Sequence, residues 1–446
     1  MKKYVLAVDI GTTSVKALAV LPDGQTLNSF QVPYPTHYPH PGFAEQDPNE
    51  IYQAFLKAIQ HVLLETKEGA PLALSFSSAL HSLVAIDKNE NPITPLIIWA
   101  DTRSSTQAAA LKNRALGKHI YELTGTPIHP MSPLSKLLWM KEKQPDVFSS
   151  ALKFISIKEF VIARLTGEYV VDYSVASATG LFDSHTLTWS KDVLDLLDLD
   201  PGKLSKPVSP FYTIQNLSSE GVSQLKTQVP IVMGGGDGCL ANLGSGAMHP
   251  GDVSITIGTS GAVRMTSSEF KYDDKSRIFN YRLDENTFVV GGATNNGAML
   301  LSWFTENFEK KKTDSSAFIE DAFSVNSERL IFLPYVLGER SPMYDPEARG
   351  VFFGVSISHT RSHFKRALLE GICFELKSIL DALEETVSPA LNIIASGGFI
   401  QSAQWVQLLC DILGKPITID SQNDASSMGA AIQGFQAMGI KTDFKL

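Results

Sequence analysis

The chain has 446 residues, 43% hydrophobic and 19% charged, with a formal net charge of −9. That length exceeds what one ordinary core organises, so two large domains are expected, and the lack of biased tracts or like-charge runs excludes extensive disorder. The acidic balance argues against a general nucleic-acid or membrane-surface binder, and Cys239, Cys373 and Cys410 are too few and too scattered for a disulfide framework or a zinc site.

At the start, "YVLAVDIG" reads as a buried strand. Its apolar run meets Asp9 too early for a secretion signal, and no stretch approaches the roughly 18 apolar residues of a spanning helix. With the cysteine pattern, this predicts a reducing, cytoplasmic setting. "VKALAVLPDGQTLNSFQV" alternates on both sides of Pro22-Asp23-Gly24 and predicts a hairpin. Residues 48–66 have helical spacing behind an Asp47-Pro48 start signal. "LALSFSSA" and "PLIIWAD" read as two more strands. "PLSKLLWMKEKQPDVF" predicts a helix that closes before Pro145, and "ISIKEFVIARLTGE" one that ends at Gly167.

In "VPIVMGGGDGCLANLGSG", positions 229–246, an apolar run meets three glycines and then Asp237. Either this is a turn, or something approaches the backbone closely there and the carboxylate faces it. "DVSITIGTSGAVRM" follows as strand, tight turn and strand. Ile257–Gly261 repeats the design of Ile10–Ser14, one hairpin tip in each half. Further on, Phe364, Leu368, Ile372, Leu376, Leu380 and Leu383 share one face of a long helix capped by Ser358 or Thr360. "NIIASGGFIQSAQWVQLLCDILG" reads as strand, Gly397-Gly398 and helix; the segment ending in "DASSMGAAIQGFQAMG" reads as strand, loop and small-residue helix. The alternation predicts an α/β protein with domains at 1–240 and 241–446.

Chemistry gathers at the tips. Gly11, Thr12, Thr13 and Ser14 offer N–H groups and hydroxyls in a concavity suited to phosphate oxygens, with Lys16 as a nearby cation. Asp9 could hold magnesium through water. An ordinary turn with a capping aspartate explains the same residues. Gly258, Thr259 and Ser260 offer a second loop, so two loops would grip one triphosphate across a cleft. Gly397 and Gly398 would admit a flat base, or simply turn strand into helix. The P-loop and dinucleotide fingerprints are missing; the last glycine position of the latter is Cys239. A hydroxyl attacking a γ-phosphoryl group needs its proton removed, and Asp237 would do that, with the glycines leaving room for substrate. His359 and His363 read as a helix-start pair rather than a metal site.

Together "VDIGTTSVK", "WADTR", "GGGDG", "ITIGTSGA", "GERSPMYDPEARGVFFG" and "SGGF" resemble the FGGY family of carbohydrate kinases, over nearly the whole chain and in family order. "TGTPIHPMSPLSKLLWM", "SSALHSL" and "VGGATNNGAMLLSWF" look most like the gluconate kinase branch, with xylulose kinases as near neighbours. The resemblance implies two actin-like, RNase H-like domains closing on ATP, magnesium and a sugar or sugar acid. It makes Asp237 the base and turns Asp9 toward magnesium. It assigns Gly11, Thr12, Thr13, Ser14, Lys16, Gly258, Thr259 and Ser260 to phosphate, and Gly397 and Gly398 to adenosine. Leu80, His81, Trp99, Asp101 and Arg103 fall to the sugar. Leu80 and Ser82 depart from the xylulose kinase pattern. Arg103 is a candidate cation for the gluconate carboxylate, or half of a structural pair with Asp101. His129 is another polar candidate, and Glu339 and Arg340 would order a cleft-facing loop. A homodimer is an expectation. Other readings are a xylulose or other pentulose kinase, an actin-like ATPase without a small acceptor, and a silent sugar-binding regulator.

Overall fold

Each half of the chain builds one mixed six-stranded sheet. In the computed structural model, which describes residues 2–67, 69–309, 314–420, 424–442 and 444, strand β1 (Lys2–Ile10) runs antiparallel to β2 (Ser14–Val20). β2 runs antiparallel to β3 (Thr26–Pro33). On its other side β1 is parallel to β4 (Gly69–Ser78), and β4 is parallel to β5 (Ile231–Gly236). Thr213–Ile214 adds a short edge strand beside β5. Tyr4 to Val8 are buried without interruption, which is why this central strand reads as a continuous apolar run rather than an alternating one.

The second sheet repeats the plan. β6 (Asp252–Ile257) is antiparallel to β7 (Gly261–Ser267), and β7 to β8 (Phe288–Thr294). β6 is parallel to β9 (Asn392–Ser396), and β9 to β10 (Thr418–Ile419). Phe279–Arg282 adds an edge strand outside β8. The order 3-2-1-4-5 therefore recurs as 8-7-6-9-10. The two matching tips noticed in sequence are the β1–β2 and β6–β7 turns of this duplicated architecture.

Helices flank both sheets. Pro48–Glu65 starts where Asp47 accepts the Asn49 N–H at 2.8 Å, and it buries Ile51, Tyr52, Phe55, Ile59 and Val62. The helix Pro133–Lys143 stops before Pro145, which opens a new helix, Pro145–Ser150. Ile157–Thr166 ends on a left-handed Gly167. Arg361–Thr386 buries Leu368, Ile372, Leu376, Leu380 and Leu383, and Phe364 is partly buried on the same core. Its cap is Thr360, whose N–H donates to His363 Nδ1 at 3.1 Å, while His359 Nδ1 accepts from Ser356 N–H. Both histidines of that pair thus serve the helix start.

One local reading changes. "PLIIWAD" forms a strand only at Leu96–Ile97, paired with Glu45–Gln46. Beyond it, the Asp101 N–H turns back to the Ile98 carbonyl, and the Asp101 carboxylate accepts from Ala44 N–H at 2.7 Å. Polar loop bonding replaces the ladder. The expected division at 240/241 falls inside the helix Asp237–Gly244. That helix crosses the last one, Ala425–Ala437, which returns to pack on β1, β4 and β5. Their backbones touch through glycine: a Cβ on Gly429 would sit 2.1 Å from the Leu240 carbonyl oxygen. This crossing fixes where Asp237 stands relative to β1. No described helix is long and apolar enough to cross a membrane.

Candidate active site

The β1–β2 tip is closed by Gly11 N–H to Ser14 carbonyl at 3.0 Å, and the β6–β7 tip by Gly258 N–H to Ser260 carbonyl at 2.9 Å. Gln46 fixes the Thr12 carbonyl at 2.6 Å, and the Trp99 indole donates to the Thr12 hydroxyl at 2.9 Å. Asp9, at the end of β1, accepts from Ser77 at 2.7 Å and from Ser426 at 2.9 Å. Burial raises the Asp9 carboxyl above its ordinary value, and these hydroxyls oppose the rise. Lys16 pairs with Asp424 at the start of the last helix. That helix therefore supplies two partners of the first tip, Ser426 and Asp424. Sequence reasoning missed both, because 417 positions separate Ser426 from Asp9.

Between the halves lies a cavity of about 160 Å³ whose wall includes Thr12 from the first tip, Ser260 from the second, and Asp237. Asp237 occupies the first turn of its helix, where free N–H groups favour a carboxylate, and its Oδ1 accepts from Gly238 N–H at 2.7 Å. Burial, and then the neighbouring Asp9 charge, outweigh this and push its pKa up to about 6. Gly397 and Gly398 lie elsewhere: Gly398, Phe399 and Gln401 line a separate groove of about 630 Å³ on the second half, with Ala298 and Ser315 opposite.

The three glycines before Asp237 do not open space for a substrate. Gly234 to Gly236 are the end of β5. A Cβ on Gly234 would stand 1.8 Å from the Phe76 carbonyl oxygen of β4, at a backbone φ of 65°. One on Gly236 would stand 2.3 Å from Leu80 Cδ2. They let two parallel strands and the Leu80 side chain close up, and Leu80 in turn lines the cavity.

His81 also lines it, with φ 68°, a left-handed backbone held by Lys136, which donates to the His81 carbonyl. Strain of this kind costs about 1–3 kcal/mol and is kept where position matters. Burial, and then the positive charge of Lys136, drop the His81 pKa to about 3, so the ring is neutral. Its Nδ1 faces the Ala178 carbonyl at 2.8 Å and must carry the proton, which leaves Nε2 to accept from Tyr281 at 3.4 Å.

Asp101 and Arg103 are not among the lining residues. Arg103 grips Asp101 and Glu45, its side chain is 3% exposed, and its guanidinium lies 3.8 Å over the Phe43 ring. The structure thus spends this pair on each other and on Glu45, away from the cavity wall. The cationic wall is made instead by Arg264 of β7 and Arg340. Arg340 stacks 4.7 Å from the Trp99 ring centroid, in a loop whose Glu339 accepts from Thr294, Asn295, Asn296 and Arg340 N–H. His129 is buried nearby, its Nδ1 accepting from Met131 N–H. Arg264 had a visible signal, a lone charge in the apolar strand "GAVRM". Tyr344, also in the wall, lies within the quoted "GERSPMYDPEARGVFFG" motif without being singled out, and Tyr281 had no signal.

Duplicated 3-2-1-4-5 sheets facing each other across a polar cavity define an actin-like ATPase fold. Residues 4–244 match the FGGY family of carbohydrate kinases, N-terminal domain, and residues 253–438 the C-terminal domain of the same family. A gluconokinase from Bacillus subtilis (strain 168) is 38% identical over 98% of this chain and 88% of its own length. A xylulose kinase from Staphylococcus epidermidis (strain ATCC 12228 / FDA PCI 1200) is 30% identical over 98% and 89%. The crystal structure of gluconate kinase from Lactobacillus acidophilus aligns with a TM-score of 0.93 at 34% identity, covering 98% of this chain and 90% of that one. The chain belongs to the FGGY family of carbohydrate kinases. It is a sugar kinase, and the family implies ATP as its phosphoryl donor.

Proposed function

We propose that the protein phosphorylates D-gluconate with ATP, giving 6-phosphogluconate and ADP, and that Asp237 is the general base. The observation that carries this reading is the shared cavity: Asp237 opens into the same space as Thr12 and Ser260, one residue from each hydroxyl-lined tip. A primary hydroxyl held against Asp237 would lose its proton as it attacks in line. A base with a pKa near 6 is ionised at neutral pH and still basic enough to accept that proton. Thr12, Thr13 and Ser14 on one side, and Gly258, Thr259 and Ser260 on the other, would hold the phosphates. Gly398 lines the groove suited to the adenosine, and Gly397 precedes it just after β9.

A magnesium ion fits Asp9. Magnesium takes one or two carboxylates plus phosphate oxygens rather than a protein cage, and Asp9 is a buried-end carboxylate oriented by two hydroxyls. When bound, the ion would neutralise charge on the transferring group.

Relatives named gluconokinase at 38% identity favour gluconate, while relatives named xylulose kinase at 30% keep a pentulose as the second reading. The test is ADP release with gluconate, xylulose, ribulose and glycerol in parallel. Gluconate should give the highest kcat/KM; a ketose ranking above it would overturn the choice of substrate.

A further inference from the structure

We propose that Arg264 and Arg340 form the subsite that receives the carboxylate of a sugar acid, with Arg264 setting the preference for acids over neutral polyols. The inference rests on the gluconate reading above. Arg264 projects from β7, where its backbone pairs with Ser254 and Gly291, and its guanidinium lies against Gly238 beside Asp237: a Cβ there would be 3.2 Å from Arg264 Nε. Its Nη1 is buried and has no hydrogen-bond partner among the described residues. Arg340 is in the same condition at Nε; among the described residues its side chain makes one hydrogen bond, from Nη2 to the Thr294 carbonyl at 3.2 Å.

Two guanidinium groups thus share one wall with donors unspent. Neither makes an ion pair with a described carboxylate, in contrast to Arg103, which holds two. Asp237 and Glu339 offset these two charges only through space, with no ion pair formed, so the wall still gains from an anion that fills it. The cavity's other basic group, His81, is neutral, its Nδ1–H committed to the Ala178 carbonyl. A guanidinium fork matches a carboxylate through paired N–H donors, which a ketose carbonyl cannot reciprocate. In the reading above the two tips hold the phosphates, which leaves both arginines to the acceptor.

The experiment compares kcat/KM for gluconate and for gluconamide, in which a neutral amide replaces the carboxylate, in the native enzyme, Arg264→Gln and Arg264→Lys. Gluconate affinity is measured alongside by calorimetry, and thermal melting checks the fold. The native enzyme should prefer gluconate. Arg264→Gln should cut the gluconate value by about 10- to 100-fold, the scale of a charge-assisted hydrogen bond, and collapse the gluconate-to-gluconamide ratio toward one. Arg264→Lys should fall between. Equal losses on both acceptors would mean that Arg264 serves the phosphates or the fold, and an unmoved ratio would mean it does not read the carboxylate; either overturns the assignment. A native enzyme that prefers xylulose to gluconate would instead overturn the substrate reading, and this inference with it.

Discussion

Lys112 of the first domain donates its ammonium to the main-chain carbonyl of Tyr344 in the second, at 2.9 Å, and to that of Met343 at the same distance. The loop so held is pinned at its base by Glu339 and Asp345, which exchange main-chain hydrogen bonds, and it carries Arg340 and Tyr344 into the cavity wall. Lys112 is therefore a latch across the two halves. Closing a kinase cleft excludes water from the γ-phosphoryl group and orders the acceptor. Lys112→Met should raise KM for the acceptor roughly five-fold, about 1 kcal/mol for an exposed charge-assisted contact, and increase ATP hydrolysis without acceptor. Steady-state kinetics with and without the sugar read both effects, and an unchanged acceptor KM would remove the latch.

Asp237→Asn separates binding from chemistry. In the proposed role its loss should lower kcat by about 10²–10⁴-fold while ATP still binds. In the native enzyme kcat/KM should fall as pH drops through about 6, because protonated Asp237 is no base. Stability moves the opposite way. The folded-state pKa lies above the ordinary 3.8, so ionising Asp237 costs stability, and that cost is incurred as pH rises from 3.8 through about 6. A neutral asparagine escapes it. At about pH 8 the Asn variant should melt at a higher temperature than the native protein, and at about pH 3 the difference should vanish. A variant that melts lower at pH 8 would show that Asp237 is not desolvated as described.

Much of this arrangement could be read before folding, and the exceptions share a cause. β1, β2, β6, β7 and the long helix Arg361–Thr386 follow from local period and turn chemistry, since each is specified by its own residues. So does the pairing of two hydroxyl-rich tips, because the fold is duplicated. Local pattern left Asp237 as either a turn residue or a proton acceptor, and the resemblance implies the second. What escaped depends on long-range packing. The glycines of β5 announce a close approach but not what approaches; it is Phe76 and Leu80, 158 and 156 positions before Gly234 and Gly236 in turn. Arg103 and Arg264 are both lone cations near promising motifs. The sequence already offered Asp101 as a structural partner of the first; the fold adds Glu45 and shows that no described carboxylate pairs with the second.

The glycine finding separates two neighbouring substitutions. Gly234→Ala would place a methyl against the Phe76 carbonyl on a left-handed backbone, a cost of several kcal/mol from overpacking and strain together, on the order of a quarter or more of a typical domain's stability. It should fail to accumulate as folded protein. Gly236→Ala meets the end of a flexible side chain instead, Leu80 Cδ2, and should fold. The displaced Leu80 then moves within the cavity wall, so acceptor KM should rise several-fold while KM for ATP stays constant. Melting curves and two-substrate kinetics distinguish the pair. Equal behaviour of the two variants would contradict the strand-packing role.

The groove proposed to take the adenosine can be tested by the same contrast. A Cβ on Gly398 meets nothing within 4 Å, and Gly398 lines the groove beside Phe399 and Gln401. Its neighbour Gly397 has φ 98°, and a Cβ there would stand 2.4 Å from the Ile257 carbonyl oxygen. Gly398→Val should therefore leave the melting temperature of the unliganded protein near native and raise KM for ATP about ten-fold, the scale of one badly accommodated side chain. Acceptor KM at saturating ATP should not move, because the groove and the sugar cavity have separate walls. Gly397→Ala should instead lower the melting temperature, since it strains the junction between β9 and β6 whatever is bound. If Gly398→Val binds ATP as the native protein does, the adenosine lies elsewhere and the assignment of this groove fails.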